Sequence, residues 1–208
     1  MNRKTTMPRW INPEWNKYIG AHFERWCMKF NNKGSILEIG CGPSPNPLLK
    51  MQSLKKAKYK VGINLKAYDH YKDFKVLKCN ANNMRECFKD NTFDIVLCNA
   101  IFEHDKYFWK SVSEIHRVLK PGGVFILGVP GFCENSKNWK TDDKAALNKV
   151  NSLGIHMTTV TFKVHKNSGD YWRFSEQAYQ EVLMEGFKLG ACHAVMVPPR
   201  IIGYGIKQ

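Results

Sequence analysis

Apolar residues recur along this chain with two different periods, and the switch between them marks out its elements. Trp15, Tyr18, Ile19, Phe23, Trp26 and Phe30 fall at three- and four-residue intervals, which puts them on one face of a helix. Asn12 reads as its N-cap and Pro13 as its first helical residue, where a missing amide proton costs nothing. Asn31 to Gly34 ends it. Short strand-like runs follow at Ser35–Ile39, Tyr59–Ile63, Phe74–Lys78 and Phe93–Cys98, separated by polar or lysine-rich connections. Tyr107, Phe108, Val112, Ile115, Val118 and Leu119 return to the helical period, and Pro121-Gly122-Gly123 stops that helix before a fifth strand at Val124–Val129. Ser175 caps a last helix through Glu185, Gly186 closes it, and strands near Phe187–Ala191 and Ile201–Ile206 complete the pattern. Strands alternating with helical or long connections favour βαβ units and a parallel sheet over a sandwich, so the fold class is α/β.

The segment from Gly131 to Gly169 breaks this alternation. Thr141-Asp142-Asp143 fits the start of a short helix bearing Ala146, Leu147, Val150 and Leu153, and His156 to Val164 alternates like a strand. An insertion at the carboxyl edge of a parallel sheet lies over the ligand crevice, so residues 131–169 read as a substrate lid. The remainder reads as one domain over 1–208, with residues 1–33 as an N-terminal helical cap.

Composition narrows the setting. The net charge is +14, and lysines 50, 55, 56, 58, 60, 66, 72, 75 and 78 crowd one stretch. Either that stretch is a solvated face, or its field attracts nucleic acid or another anion. The seven cysteines are odd in number and form no Cys-x-x-Cys pair, so they are expected to be reduced, with no disulfide framework and no metal site. No run approaches the roughly 18 apolar residues of a membrane span, and no apolar leader follows Met1, so a cytoplasmic protein is expected.

The most informative run is Ser35-Ile36-Leu37-Glu38-Ile39-Gly40-Cys41-Gly42-Pro43. A strand ending in two glycines one residue apart lets the backbone turn sharply and come close to a nucleotide-type ligand. Gly-x-Gly alone is weak, but here it is followed in order by Val61-Gly62-Ile63-Asn64, by Phe93-Asp94-Ile95-Val96-Leu97, and by Leu119-Lys120-Pro121-Gly122-Gly123 before an apolar strand. In that order these motifs resemble the class I S-adenosylmethionine-dependent methyltransferases. The resemblance implies a Rossmann-like, mostly parallel seven-stranded sheet with helices on both faces, S-adenosylmethionine as cofactor and a small-molecule acceptor. It implies cofactor contacts at Glu38, Gly40, Cys41, Gly42, Asn64, Leu65, Asn80, Ala81, Asn99 and Ala100.

Two of those positions depart from the family. Asn64 and Asn80 stand where carboxylates are usual, and an amide cannot act as a charged bidentate acceptor for ribose hydroxyls. On that ground Asn64→Asp is expected to tighten cofactor binding by about 1 kcal/mol. Pro43, Pro45 and Pro47 also disfavour a continuous helix right after the glycine turn.

For the acceptor, a displacement at a sulfonium methyl needs a positioned nucleophile and, for a hydroxyl, a base. The run from His165 through Asp170-Tyr171-Trp172-Arg173-Phe174-Ser175 resembles the His-x-x-x-x-Asp-Tyr-Trp-Arg-Phe-Thr signature of a branch of small bacterial methyltransferases. His165, Asp170, Arg173 and His104 are thus the catalytic candidates, and Tyr171, Trp172 and Arg173 the substrate-binding ones. The same cluster also fits a buried brace that shapes the lid. Methyl transfer to a small polar acceptor is the favoured activity, with an RNA methyltransferase or a non-catalytic cofactor-binding regulator as alternatives.

Overall fold

The computed structural model describes residues 14–43, 46–68, 71–134, 157–159, 169–196 and 199–208. Helix α1 (Glu14–Lys29) precedes strands β1 (Ser35–Ile39), β2 (Tyr59–Asn64), β3 (Lys75–Lys78) and β4 (Phe93–Asn99). Helix α2 (Phe108–Val118) leads into β5 (Leu119–Pro130), followed by the short β6 (Cys133–Glu134) and β7 (Met157–Thr158). Helix α3 (Glu176–Ala178) continues as a π-helical turn (Tyr179–Leu183) before β8 (Phe187–Met196) and β9 (Pro199–Lys207).

Seven strands form one sheet in the order β3-β2-β1-β4-β5-β9-β8. β3, β2, β1, β4 and β5 are parallel, and β9 runs antiparallel to both β5 and β8. The order reverses at β1, whose neighbours β2 and β4 lie on opposite sides. In open parallel sheets the crevice outside the carboxyl ends of strands at such a switch point is where ligands bind.

Strand alternation sends the core to both faces. Ile95 and Leu97 of β4 and Val124 and Ile126 of β5 pack toward α1, whose Ile19, Phe23, Trp26 and Cys27 recur at helical spacing. Val96 and Cys98 of β4, with Phe125, Leu127 and Val129 of β5, pack on the other face against Phe108, Val112, Ile115 and Val118 of α2. Each central strand is therefore buried on both sides, which is why its sequence reads as a continuous apolar run.

Several expectations change in detail. After β1 the chain makes two short 3-10 turns, Leu48–Lys50 and Gln52–Leu54, in place of a full helix, as the prolines indicated. Ser175 caps its helix by accepting from the Ala178 amide, but the second half widens to a π-turn whose Tyr179 hydroxyl donates to the Leu127 carbonyl. β8 and β9 are longer than the sequence indicated. Cys79 and Cys87 are joined in a disulfide, a correction to the expectation of reduced cysteines throughout. Cys27, Cys41 and Cys98 are buried and free. Within residues 131–169, expected to be a lid, Cys133–Glu134 pair with Met157–Thr158, and the rest of the strand expected from His156 to Val164 lies largely outside the described residues. The helix expected from Thr141 to Gly154, and His165, lie outside the described residues. Among the described residues, no helix is long and apolar enough to cross a membrane.

Candidate active site

A cleft of about 380 Å³ opens at the carboxyl ends of β1, β2 and β3, walled by Ile39, Ile63, Leu65, Ala81 and Ile101 with the amides of Asn64 and Asn80 on its rim. Its volume falls within the range of small-ligand pockets. Gly40 takes φ +74 at the end of β1, and a Cβ built there would fall 2.0 Å from Ile101 Cδ1. Only glycine fits both the left-handed conformation and the Ile101 side chain resting over it. At Gly42 a Cβ would make only ordinary van der Waals contacts, 3.9 Å from Asn64 Nδ2 and from Gly40 O, so this position is not crowded.

Side chains of three separate segments hold the glycine turn. The Glu38 carboxylate accepts from the Leu49 amide at 3.0 Å. Asn64 Nδ2 donates to the Cys41 carbonyl at 3.1 Å, and the Tyr71 hydroxyl donates to the Gly42 carbonyl at 2.5 Å. The Cys41 amide also donates to Ile63 O, which draws the loop over Gly62, where a Cβ would fall 2.5 Å from that of Cys41. Burial pushes Glu38 up to about 6, partly offset by the Leu49 and Leu48 amides and the Cys41 thiol. The Cys41 thiol is itself raised well above its ordinary value by burial and by Glu38.

Asn64 thereby acquires a reason that its position alone does not supply. Its amide nitrogen donates to Cys41 O while its oxygen accepts from the Leu65 amide at 2.7 Å. A carboxylate could do the second but not the first. Asn80 makes a local turn, accepting from the Asn82 amide at 3.0 Å. Asn82 Nδ2 then bonds Asp105 Oδ2 and Ser111 Oγ, both at 2.7 Å, and so ties the β3 side of the cleft to α2.

The opposite rim is ionic. Glu103 is fully buried after β4, and burial raises its carboxyl against the opposing charges of Arg200, His104 and Arg173. His104 lines the cleft, with Nε2 4.0 Å from Glu103 Oε1 and Nδ1 3.2 Å from the Gly169 carbonyl. Arg173 forks onto the buried Asp170 carboxylate at 2.5 and 2.6 Å, and the Tyr171 amide donates to the Glu103 carbonyl at 2.6 Å. Trp172 Nε1 donates to Asp105 O at 3.0 Å, with its ring edge-on to Phe108. Arg200 reaches Asn99 Oδ1 at 3.3 Å from β9, and burial lowers its pKa. Ala100, between Asn99 and this cluster, takes φ +57 and donates its amide to Gly128 O.

Residues 37–127 match a family model described as a methyltransferase domain. An uncharacterized protein of Methanocaldococcus jannaschii is 37% identical over 101 residues, 49% of this chain and 44% of that protein. The demethylmenaquinone methyltransferase of Symbiobacterium thermophilum is 28% identical over 137 residues, 61% of this chain and 51% of its own length. The chain thus matches about half the length of these curated relatives. A solved structure titled as a SAM-dependent methyltransferase from Aquifex aeolicus superposes with a TM-score of 0.57 at 17% identity, covering 95% of this chain and 94% of that one. Residues 37–127 are thus similar to a methyltransferase domain, and the sheet has the Rossmann-like fold of the class I methyltransferases.

Of the residues singled out in the sequence, Gly40, Asn64, Leu65, Asn80 and Ala81 line the cleft, and His104 joins them from the turn after β4. Glu38, Cys41 and Gly42 build its glycine turn. Asn99 and Ala100 sit beside the ionic cluster, Asn99 against Arg200. Asp170 and Arg173 come together, Trp172 packs behind them, and Tyr171 is exposed. Glu103, Asp105, Asn82 and Arg200 are new. Arg200 had left a sequence signal, as the single charge in the otherwise apolar or proline run Val197–Ile202.

Proposed function

We propose that the protein transfers a methyl group from S-adenosylmethionine to an oxygen or nitrogen of a small polar acceptor. The carrying observation is that the cofactor cleft and the ionic cluster share His104, which lines the cleft and whose ring nitrogen meets the Gly169 carbonyl just before Asp170. The cleft fits the cofactor in character: apolar walls from Ile39, Ile63, Leu65 and Ile101, rim amides from Asn64 and Asn80, and the side-chain-free backbone of Gly40. Bound there, the cofactor supplies an electrophilic methyl group on a positively charged sulfur.

The chain's own residues do the rest by positioning and proton handling. His104 accepts the acceptor's proton through Nε2, the ring nitrogen not engaged with Gly169 O, which lies 4.0 Å from Glu103 Oε1. Arg173, oriented by the buried Asp170 carboxylate, meets the acceptor's polar groups beside it, and Tyr171 offers an exposed ring for stacking. His165, outside the described residues, is the second candidate base.

The test is transfer of labelled methyl from S-adenosylmethionine into a metabolite extract and into total RNA. Label in a small molecule, lost in His104→Ala by about 10²-fold or more, supports the reading. Label confined to RNA, or full transfer by His104→Ala, overturns it.

A further inference from the structure

At the opposite end of β2 and β3 from the cofactor cleft lies a groove of about 600 Å³ bordered by Lys58, Tyr59, Lys60, Lys72, Phe74 and Lys75. The sequence explains its charge. Residues 50–78 hold nine lysines against Asp69 and Asp73 and no glutamate, a surplus of seven that is half of the chain's net +14. Lys33, Lys55 and Lys56 are exposed beside it, the first linked to the groove through the hydrogen bond from the Lys58 amide to Lys33 O. Among the residues bordering the groove, Asp73 is the one carboxylate.

Aromatic rings are set among these ammonium groups, an interleaving that the linear order of lysines hides. Tyr59 is 45% exposed and lies nearly parallel to Phe93, with an interplanar angle of 14°. Tyr71 stacks on Phe74 at 4.6 Å, and Lys60 Nζ sits 5.7 Å from the Phe74 ring centre. Lys60 is anchored to the Leu49 carbonyl at 3.2 Å, whereas Lys58, Lys72 and Lys75 are exposed.

Two features select the partner. β3 is the outer strand, yet Tyr68 pairs with Val76 through both backbone hydrogen bonds, so the edge is covered there against an added strand. The surface is also a concave groove with one presented ring, where a membrane surface calls for protruding apolar side chains. Lysines along a groove with a partly open aromatic ring match the two demands of a single-stranded nucleic acid: neutralised phosphates and a stacked base.

We infer that this groove is a docking site for single-stranded nucleic acid, with backbone phosphates on Lys58, Lys72 and Lys75 and a base on Tyr59. The site lies at the far end of the strands from the methyl-transfer cleft, so it tethers the protein to a strand independently of what is methylated.

Fluorescence anisotropy of the full chain with a labelled oligouridylate of about twelve nucleotides tests this. Binding is expected at about 50 mM salt, with log K falling against log salt at a slope of roughly −2, as for three phosphate contacts. The triple variant Lys58→Glu/Lys72→Glu/Lys75→Glu should bind at least tenfold more weakly with a flatter slope, and Tyr59→Ala about tenfold more weakly at an unchanged slope. S-adenosylhomocysteine binding by the triple variant, measured by calorimetry, should equal the wild type and so verifies its fold. Absence of oligonucleotide binding at low salt, equal binding by wild type and triple variant, or binding to phosphatidylserine vesicles in preference to the oligonucleotide each overturns the inference.

Discussion

The two rims of the cleft are held by different physics. On the glycine-turn side the backbone is fixed by several modest hydrogen bonds, from Glu38, Asn64 and Tyr71, each made by a segment that already lies beside β1 or β2. On the other side Glu103, Asp170, Arg173 and Arg200 come from three distant parts of the chain and place charges in a dry environment. Neutral hydrogen bonds contribute about 1 kcal/mol each, while a buried ion that loses its counter-ion costs several. The first rim is built for graded adjustment, and the second tolerates little.

The largest expected effect therefore falls on the ionic rim. Arg173→Ala leaves the buried Asp170 carboxylate without its fork and should lower unfolding free energy by about 3–5 kcal/mol in a urea titration. Arg173→Lys should recover only part of this, because an ammonium cannot reproduce the paired geometry. A loss under about 1 kcal/mol would erase the contrast between the rims.

Next in size is Asn64→Asp. The reading from sequence, that a carboxylate strengthens the ribose contact, omits the bond from Asn64 Nδ2 to Cys41 O. A carboxylate there faces a carbonyl oxygen with no proton between them, so S-adenosylhomocysteine should bind about tenfold more weakly, by about 1.4 kcal/mol. Tighter binding by calorimetry would mean that the ribose contact outweighs the support of the turn.

That omission shows which parts of the molecule the sequence could disclose. The parallel strands and α1 are legible because burial on both sheet faces writes continuous apolar runs, and burial on one helix face writes a helical period. The glycine turn is legible because backbone conformation restricts residue type, as at Gly40. Partnerships across the fold leave no such mark. Nothing in the local sequence around Glu103 points to Arg200, nor around Asn82 to Asp105 and Ser111. The Cys79–Cys87 disulfide joins residues whose spacing of eight matches no common motif. The π-turn at Tyr179–Leu183 escapes because its apolar spacing also suits an α-helix.

An effect of comparable size, seen only as pH changes, is carried by Glu38, whose carboxyl is raised from 4.5 to about 6 chiefly by burial. The folded state holds the proton more tightly than the unfolded one, so this group's stabilising contribution is complete below about pH 4.5 and is lost as pH rises through 6. Between those limits wild type should lose about 2 kcal/mol relative to Glu38→Gln, which does not titrate. Parallel stability curves for the two proteins from pH 4 to 7 would show that Glu38 is not desolvated as its position indicates.

The central claim, that the cleft at the carboxyl ends of β1, β2 and β3 holds S-adenosylmethionine, is tested most directly by filling it. Ala81 lines the cleft and is only partly buried, so Ala81→Trp places an indole in the ligand space while leaving the strands intact. Calorimetric titration with S-adenosylhomocysteine should show one-to-one binding by wild type and none by Ala81→Trp at a melting temperature within about 4 °C of wild type. Equal binding by the two proteins, or no binding by wild type, contradicts the claim.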